Sequence, residues 1–330
     1  MGSGRQSRLM DTTLDSAPVR VKVTRRPVHG VLLLDKPLGL SSNDALQKAK
    51  WLLRAEKAGH TGTLDPLATG VLPLCFGAAT KFSQLHLDAD KRYEALARLG
   101  VTTTTGDAEG EVVQERPVRV TQDDVERVCQ GFRGPISQVP PMYSALKRDG
   151  KPLYEYARAG IEVERAAREI TVHDLVMALE QDSAGASVLR MAVRCSKGTY
   201  IRTLAEDIGE ALGCGAHLVA LRRVETGNFG VAQSVSLERL AAMPEADRVA
   251  CLLPVDALLA GHTVIELGPE DAGRFLSGVR RRGLWADCAQ VAVYGTNPRA
   301  LLGTGHVTGG ELIPGRLLSP IEITQTLAVP

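Results

Sequence analysis

The chain has 330 residues, and its 39 Lys and Arg against 38 Asp and Glu leave a formal net charge of +1. At about 150 residues per domain, this length predicts roughly two domains. A hydrophobic fraction of 44% and a charged fraction of 23% exclude wholesale disorder. The near-neutral total weighs against a protein that binds nucleic acid over its whole surface. Residues 1–60, with eleven Lys and Arg against five Asp and Glu, carry a local charge of +6.

The cysteines and histidines indicate neither a metal site nor export. The six cysteines form no C-x-x-C pair and the seven histidines form no H-E-x-x-H pattern, so we expect no metal ion. Isolated cysteines are typical of a reducing compartment. No stretch approaches the ~18 apolar residues of a membrane span, and no apolar segment follows the N-terminal arginines. These features predict a cytoplasmic protein.

Hydrophobic periodicity and turn residues predict the elements of the first half of the chain. Residues 1–27 are polar and aperiodic, which predicts a mobile tail. A buried strand begins at Gly30, a polar cluster at residues 41–44 caps a helix that reaches Leu53, and residues 59–70 form a glycine-rich loop. The next expected elements are a strand at Val71–Phe76, a helix near Thr80–Leu87, strands at Tyr93–Leu99 and Glu111–Gln114, and a helix at Asp123–Cys129.

Residues 131–152 are rich in Gly and Pro, which predicts a long irregular stretch. A compact domain rarely keeps ~20 structureless residues unless they bind something. Strands at 169–180 and 187–195 and a helix at Ile201–Leu212 should follow. From about residue 251 the pattern indicates a small β-rich second domain. Its predicted strands are Thr263–Leu267, Gln290–Tyr294 and Ala300–Thr304.

The loop at residues 59–70 carries a candidate catalytic residue, Asp65. Its glycines permit backbone conformations closed to other residues, and Pro66 favours an extended Asp65. Three interpretations are open: Asp65 caps a helix that starts at Pro66, the loop cradles a phosphate, or Asp65 is a catalytic carboxylate on a rigid turn. The loop lacks the G-K-[ST] of a Walker loop.

Two further segments place aromatic and cationic side chains together. Tyr200 and Arg202 lie where a predicted strand leads into a helix N-terminus, which suits either a site or a packed tyrosine beside a surface arginine. Tyr93 directly follows two cations. It is either a half-buried strand residue or a stacking platform for a base.

Residues 138–151 combine a Pro-rich turn, one aromatic residue and three cations. The simplest interpretation is a solvated loop. The alternative is a nucleic-acid-binding loop, in which Lys147, Arg148 and Lys151 contact backbone phosphates.

In this order and spacing, these segments resemble the tRNA pseudouridine synthase B family. The longest matching motif is G-H-T-G-T-L-D-P-L-A-T-G at residues 59–70. Its companions are D-K-P-L-G-L-S-S at 35–42, K-R-Y at 91–93, residues 138–150, S-K-G-T-Y-I-R-T-L at 196–204 and L-R-R-V-E-T-G-N-F at 221–229. Residues 303–319 look like the family's PUA-type RNA-binding module. One departure is Thr104, which stands where the family tends to have an Asp.

The resemblance implies an α+β protein with the pseudouridine synthase fold. Residues 28–250 would form the catalytic domain, with a mixed, largely antiparallel central sheet flanked by helices and an RNA-binding insertion at 131–152. Residues 251–330 would form a small PUA-like domain. The implied activity is isomerisation of uridine 55 in the tRNA T-loop to pseudouridine, by base flipping, glycosidic bond cleavage and reattachment through C5. The implied enzyme is a cofactor-free monomer that acts on the T-arm without a protein partner.

The resemblance also implies roles for individual residues. Asp65 would be the catalytic carboxylate, Arg202 the partner that holds it ionised, and Tyr200 the base for the C5 proton. Tyr93 would stack on the flipped base, with Leu221 on its other side. The other expected substrate contacts are His60, which fills space in the RNA loop or contacts RNA, Lys36, which pairs with acidic or phosphate groups near the site, and the phosphate-binding Lys147 and Arg148.

Three rival interpretations stay open at this point. The first is an RNA-binding or RNA-folding protein with a vestigial site, although all four expected active-site side chains are present. The second is the catalytic subunit of a guide-RNA-directed particle, although the C-terminus has no Lys-rich extension. The third is a phosphate-binding hydrolase, although the glycine-rich loop of this chain lacks the lysine and the acidic metal ligands that such a site requires. An accessory tRNA-folding activity alongside catalysis also stays open.

Overall fold

The structure is a computed structural model that describes residues 24–328. Its strands are β1 (Gly30–Lys36), β2 (Ala58–His60), β3 (Ala68–Phe76), β4 (Lys91–Leu99), β5 (Val101–Thr103), β6 (Val112–Glu115), β7 (Gly134–Gln138), β8 (Lys147–Arg148), β9 (Lys151–Pro152), β10 (Arg168–Gln181), β11 (Ser187–Cys195), β12 (Ala216–Thr226), β13 (Phe229–Gly230), β14 (Val235–Ser236), β15 (Thr263–Leu267), β16 (Arg281–Arg282), β17 (Cys288–Gly295), β18 (Ala300–Thr308) and β19 (Glu311–Leu317). Its α-helices are α1 (Ser42–Leu52), α2 (Ser83–Leu87), α3 (Gln122–Gly131), α4 (Leu153–Arg158), α5 (Ile201–Ala211), α6 (Leu237–Ala242), α7 (Glu245–Ala250), α8 (Pro269–Leu276) and α9 (Pro320–Leu327). None of these helices is long and apolar enough to cross a membrane.

Ten strands form one mixed central sheet. Its main order is β14-β1-β3-β12-β4-β11-β10-β7, with β2 added to β3 and β13 to β12. The β1–β14 and β3–β12 pairs are parallel, and the other pairs are antiparallel. Helix α5 packs against β12, and α3 packs against β10. The expected mixed, largely antiparallel sheet flanked by helices is therefore confirmed.

A second, five-stranded sheet lies in the C-terminal part of the chain, in the order β15-β17-β18-β19-β16. It confirms the expected small β-rich unit. Val31 and Leu33 of β1 share one apolar core with Leu258, Tyr294 and Leu301. This shared core packs the second sheet firmly against the central one.

The helices form where apolar residues recur at helical spacing. In α5, Ile201, Leu204, Ala205 and Ile208 are buried, which is the i, i+3, i+4, i+7 pattern of one helix face. Helix α1 begins at the predicted polar cluster, where Ser41 accepts a hydrogen bond from the backbone N–H of the third residue of the first turn. A side-chain acceptor at this position satisfies an N–H that the helix itself leaves unpaired.

Several expectations about irregular segments need correction. The stretch 131–152 contains β7, which pairs with β10, and the small β8–β9 hairpin. Pro135 hid this strand from the sequence pattern, yet proline is tolerated in a strand at the sheet edge. The loop at 59–70 is shorter than expected, since β2 and β3 extend into it at both ends.

Two further expectations were wrong at element ends. The helix expected near residues 80–87 is a 3-10 turn at Gly77–Lys81 followed by α2. Most of the expected N-terminal tail lies outside the described residues. Its last part is structured, because Arg26 makes a β-bridge with Ala55.

Gly70 allows β3 and β12 to approach closely. It has a φ of +102° and lies opposite Arg223 in the parallel register. A Cβ atom at this position would stand 2.1 Å from the Arg223 carbonyl oxygen. Gly39 also has a positive φ, of +81°, but a Cβ there would meet nothing within 4 Å.

We expect Gly70→Ala to lower the free energy of unfolding by at least about 2 kcal/mol more than Gly39→Ala. Both variants incur the roughly 1–2 kcal/mol cost of a left-handed alanine, but only the Gly70 variant also forces two strands apart. Urea unfolding of both proteins measures the difference. Equal losses would mean that the close approach of β3 and β12 is not required.

Candidate active site

The Asp65 side chain lies at the mouth of a cleft, on the segment that leads from β2 into β3. The preceding residue is fixed, because Ser42 Oγ accepts from the Leu64 N–H at 2.7 Å and donates to the Leu64 carbonyl at 3.0 Å. No helix begins at Pro66, which lies in a turn that enters β3. The helix-cap interpretation of Asp65 is therefore wrong, and the rigid-turn geometry is present.

Arg202 lies between two carboxylates. Its side chain is only 5% exposed; Nη2 is 2.9 Å from Asp65 Oδ2 and Nη1 is 3.3 Å from Asp107 Oδ2. The same guanidinium donates to the Thr105 carbonyl at 3.0 Å and to the Tyr143 carbonyl at 2.5 Å. The interpretation of Arg202 as a surface residue is therefore wrong. A buried arginine with this set of partners fixes the position of Asp65.

The sequence prediction missed Asp107. Its carboxylate is almost completely buried, where it accepts from Thr105 Oγ1 at 2.5 Å and from the Glu109 N–H at 3.1 Å. Asp107 is the last residue of the T-T-T-G-D turn at residues 103–107. The Thr104 hydroxyl accepts from the Glu111 N–H at 3.1 Å, so this position now closes the turn.

Opposing effects act on the pKa of Asp65. The carboxyl faces a narrow cleft whose walls displace water, and this burial raises the pKa. Arg202 lowers it, and the nearby Asp107 raises it again. The net direction is upward even though 42% of the Asp65 side chain is exposed. Arg202 lowers this pKa, as the resemblance implies, and so favours the ionised carboxylate against the effect of burial.

Five of the predicted residues line one cavity of about 250 Å³, which we call the Tyr93 cavity. They are Asp65, Tyr93, Tyr200, Arg202 and Leu221. Tyr93 is on β4 and Leu221 is on β12, and these strands are hydrogen-bonded neighbours. The central sheet thus brings together side chains from three distant segments. The cavity also contains Lys91 and Arg223, which the sequence prediction did not name as site residues.

Tyr200 is held by a side chain from the insertion. Gln138, at the end of β7, accepts from the Tyr200 N–H at 2.8 Å and donates to the Tyr200 carbonyl at 3.1 Å. Burial raises the pKa of Tyr200, so the phenol is protonated at neutral pH. Gln138 was not predicted, because its partner is 62 residues away in sequence.

The other predicted residues lie outside the Tyr93 cavity. His60 lines a neighbouring cavity of about 500 Å³ that shares Asp65 and Arg202, which we call the His60 cavity. Lys36 is fully buried and donates to the carbonyls of Pro37 and Leu40 at 2.9 Å and 2.6 Å. Its ammonium therefore holds a loop, and its charge also acts on the nearby Asp65 carboxylate. Lys147 and Arg148 are exposed on the β8–β9 hairpin.

Comparisons with known proteins give this architecture a class. A family model for the N-terminal domain of TruB family pseudouridylate synthases matches residues 50–201, and one for the C-terminal domain of tRNA pseudouridylate synthase B matches residues 202–260. A chain in a crystal structure of a Cbf5–Nop10–Gar1 complex is 26% identical, with a TM-score of 0.66, over 89% of this chain and 86% of that one. Fold and cleft together define a pseudouridine synthase.

Relatives that are similar over most of the chain identify the family of pseudouridine synthases to which it belongs. A tRNA pseudouridine synthase B from Verminephrobacter eiseniae is 64% identical, and the match covers 94% of both chains. One from Ralstonia nicotianae is 59% identical over 91% of this chain and 97% of that one. The chain belongs to the tRNA pseudouridine synthase B family and is an isomerase that acts on tRNA.

The charge of Arg202 should control the pH dependence of pseudouridine formation. Because Arg202 opposes the upward shift in the pKa of Asp65, Arg202→Gln should move the acid limb of the rate profile to higher pH. Arg202→Lys keeps the charge and should leave the limb closer to its original place. Single-turnover rates between about pH 5 and pH 9 measure the limb. A lower plateau with an unmoved limb would contradict this role.

The two hydrogen bonds from Gln138 should affect turnover more than RNA affinity. Gln138→Met leaves the Tyr200 N–H and carbonyl without these partners, at a cost of about 1–3 kcal/mol. We expect the single-turnover rate to fall by about tenfold or more, with the Kd for RNA within about threefold of the original. The matched control is Gln130→Met on the exposed face of α3. Equal rates for the two variants would refute the positioning role.

Proposed function

We propose that this protein converts uridine 55 in the T-loop of tRNA to pseudouridine. The observation that carries the proposal is the Asp65–Arg202 pair at the mouth of a cavity of about 250 Å³ that Tyr93 and Leu221 also line. An aromatic face and an apolar side chain suit a planar base. The carboxylate beside them suits chemistry at the sugar or at the base.

A uridine inside a folded T-loop reaches this cavity only by flipping out of the loop. Flipping costs a few kcal/mol, and stacking on an aromatic ring offsets about 1–3 kcal/mol of that cost. Tyr93 would supply the ring, and Leu221 would contact the other face of the base. His60, in the neighbouring cavity, would contact the RNA next to the flipped nucleotide.

The reaction breaks the N1–C1′ bond, turns the uracil and forms a C5–C1′ bond, so it needs no redox cofactor. Asp65 must be ionised when it acts on the ribose or the base, and Arg202 supports that state. Tyr200 is our candidate for the base that removes the C5 proton. Because burial raises its pKa, the phenol would give its own proton to N1 of the base as it accepts the one from C5, which keeps the protons in balance.

The substrate also needs contacts outside the cavity. Lys147 and Arg148 on the exposed β8–β9 hairpin would bind backbone phosphates of the T-arm. Arg148 reaches the Glu164 carbonyl at 2.7 Å, which keeps the hairpin near the body of the protein. We propose a cytoplasmic monomer of two domains, divided near residue 250, that needs neither a cofactor nor a protein partner.

Asp65→Asn should abolish pseudouridine formation and leave RNA binding nearly unchanged, since the side chain keeps its size and loses only its charge. The measurement is pseudouridine mapping of a T-arm stem-loop, together with the Kd for the same RNA. Asp123→Asn, an exposed residue of α3, is the matched control. Near-normal product from the Asp65 variant would show that another group does the chemistry. Product at a different uridine of the wild-type reaction would refute the assignment to position 55.

A further inference from the structure

The wall of the Tyr93 cavity includes two cations that the catalytic scheme above does not use. Lys91 begins β4 and is 8% exposed, and Arg223 lies on the adjacent strand β12 and is 1% exposed. Both line the cavity that also holds Asp65. Asp65 is the only carboxylate among the residues described as lining this cavity, and it already pairs with Arg202.

Backbone carbonyls accept the short hydrogen bonds of both cations, and the Arg223 guanidinium also acts on the Tyr93 hydroxyl. Lys91 Nζ donates to the carbonyls of Leu87 and Ala89, at 2.7 Å and 2.5 Å. Arg223 donates from Nε to the Val71 carbonyl at 2.8 Å and from Nη1 to the Thr63 carbonyl at 3.3 Å. Within residues 24–328, Arg223 Nη2 has no hydrogen-bond partner.

The nearest acidic side chains do not neutralise this pair. Asp88 lies 2.8 Å from Lys197, and Asp90 lies 3.4 Å from Arg194. Burial and the neighbouring Arg223 together lower the pKa of Lys91 to about 8. Lys91 is therefore still mostly protonated at neutral pH. Asp88 and Asp90 act on its charge from a distance, but within the described residues 24–328 neither Lys91 nor Arg223 is directly paired with a carboxylate where it faces the cavity.

Burying two like charges side by side is costly unless a negative charge meets them. An intact uridine is neutral, so the ground state of the substrate does not supply that charge. Heterolysis of the N1–C1′ bond does, because the bonding electron pair stays on the base. The charge of the resulting uracil anion spreads from N1 to the two carbonyl oxygens O2 and O4.

We propose that Lys91 and Arg223 stabilise the detached uracil anion during the isomerisation, which makes them electrostatic catalysts of bond cleavage. This inference rests on the proposed function. The electron pair of the broken bond goes to the base, and the electron-poor C1′ is taken by the Asp65 carboxylate. C5 then supplies the pair for the new bond to C1′ and releases Asp65. The proton leaves C5 and a proton returns to N1, so the product is an isomer of the substrate.

The placement of the two cations also suits the rotation of the base. Their short hydrogen bonds are directed at the protein backbone, so they act on the base mainly through charge. Attraction between charges is less directional than a hydrogen bond. Lys91 and Arg223 can therefore stabilise the anion while the base rotates and C5 takes the position that N1 held.

The first test compares Lys91→Met and Arg223→Gln with Arg190→Gln, a cation on the exposed face of β11 that pairs with Glu180. Single-turnover rates on a T-arm stem-loop should fall by about 100-fold in the first two variants and stay unchanged in the third. The Kd for RNA should stay within about threefold of the original. Loss of affinity and a smaller salt dependence of binding, at unchanged rate, would identify phosphate contacts and overturn the proposal.

The second test varies the base and separates charge stabilisation from packing. A fluorine at C5 withdraws electrons and stabilises the anion by itself, so cleavage of a 5-fluorouridine stem-loop should depend less on the cations. We expect the rate deficit of both variants, measured on cleavage, to shrink by about fivefold or more with this substrate. An equal deficit with both substrates would mean a structural role and would overturn the proposal.

Charge-conserving variants show whether a loss of rate comes from the lost charge or from misfolding. Lys91→Arg and Arg223→Lys should retain rates within about tenfold of the original, with cooperative thermal unfolding. Failure of these variants together with the neutral ones, at unchanged melting temperature, would contradict a role of charge. If the wild-type protein forms no pseudouridine in the stem-loop, the proposed function fails first, which is a distinct result.

Discussion

One buried guanidinium links three segments that surround the candidate active site. Arg202 contacts Asp65 before β3, Asp107 and Thr105 in the turn after β5, and the Tyr143 carbonyl of the insertion. A neutral residue at this position would leave two carboxylates facing each other in a poorly hydrated cleft, at a cost of several kcal/mol. The ion pair therefore orients the Asp65 carboxylate and also ties together segments that are far apart in sequence.

The central sheet makes this arrangement possible. Strands β3, β12 and β4 are neighbours, which places Asp65, Leu221 and Tyr93 around one cavity. At Gly70, β3 and β12 approach closely, and both of these strands contribute residues to the cavity lining. The buried cations differ in their partners: Arg202 pairs with two carboxylates, whereas Lys91 and Arg223 donate to backbone carbonyls.

Local patterns predicted most of the regular elements, and the reason is visible in α5 and β1. Each buries one face or a continuous apolar run, which periodicity reports directly. The prediction failed mainly in the insertion. There β7 is a short edge strand that contains a proline, and it pairs with β10 residues that lie 30 or more positions away. Pairing over such distances leaves no periodic signal in the strand itself.

The same division holds in the site. The sequence by itself indicated the family and the side chains of the candidate site. The features that did so are a dense local motif with Asp65 at its centre, an arginine two residues after Tyr200, and a tyrosine after two cations. Only the tertiary structure decided that Arg202 is shared with Asp107, that Gln138 holds Tyr200, and that Lys91 and Arg223 line the same cavity as Asp65. These features depend on distances between chain segments and on loss of water, and neither is encoded in the spacing of residues along the sequence.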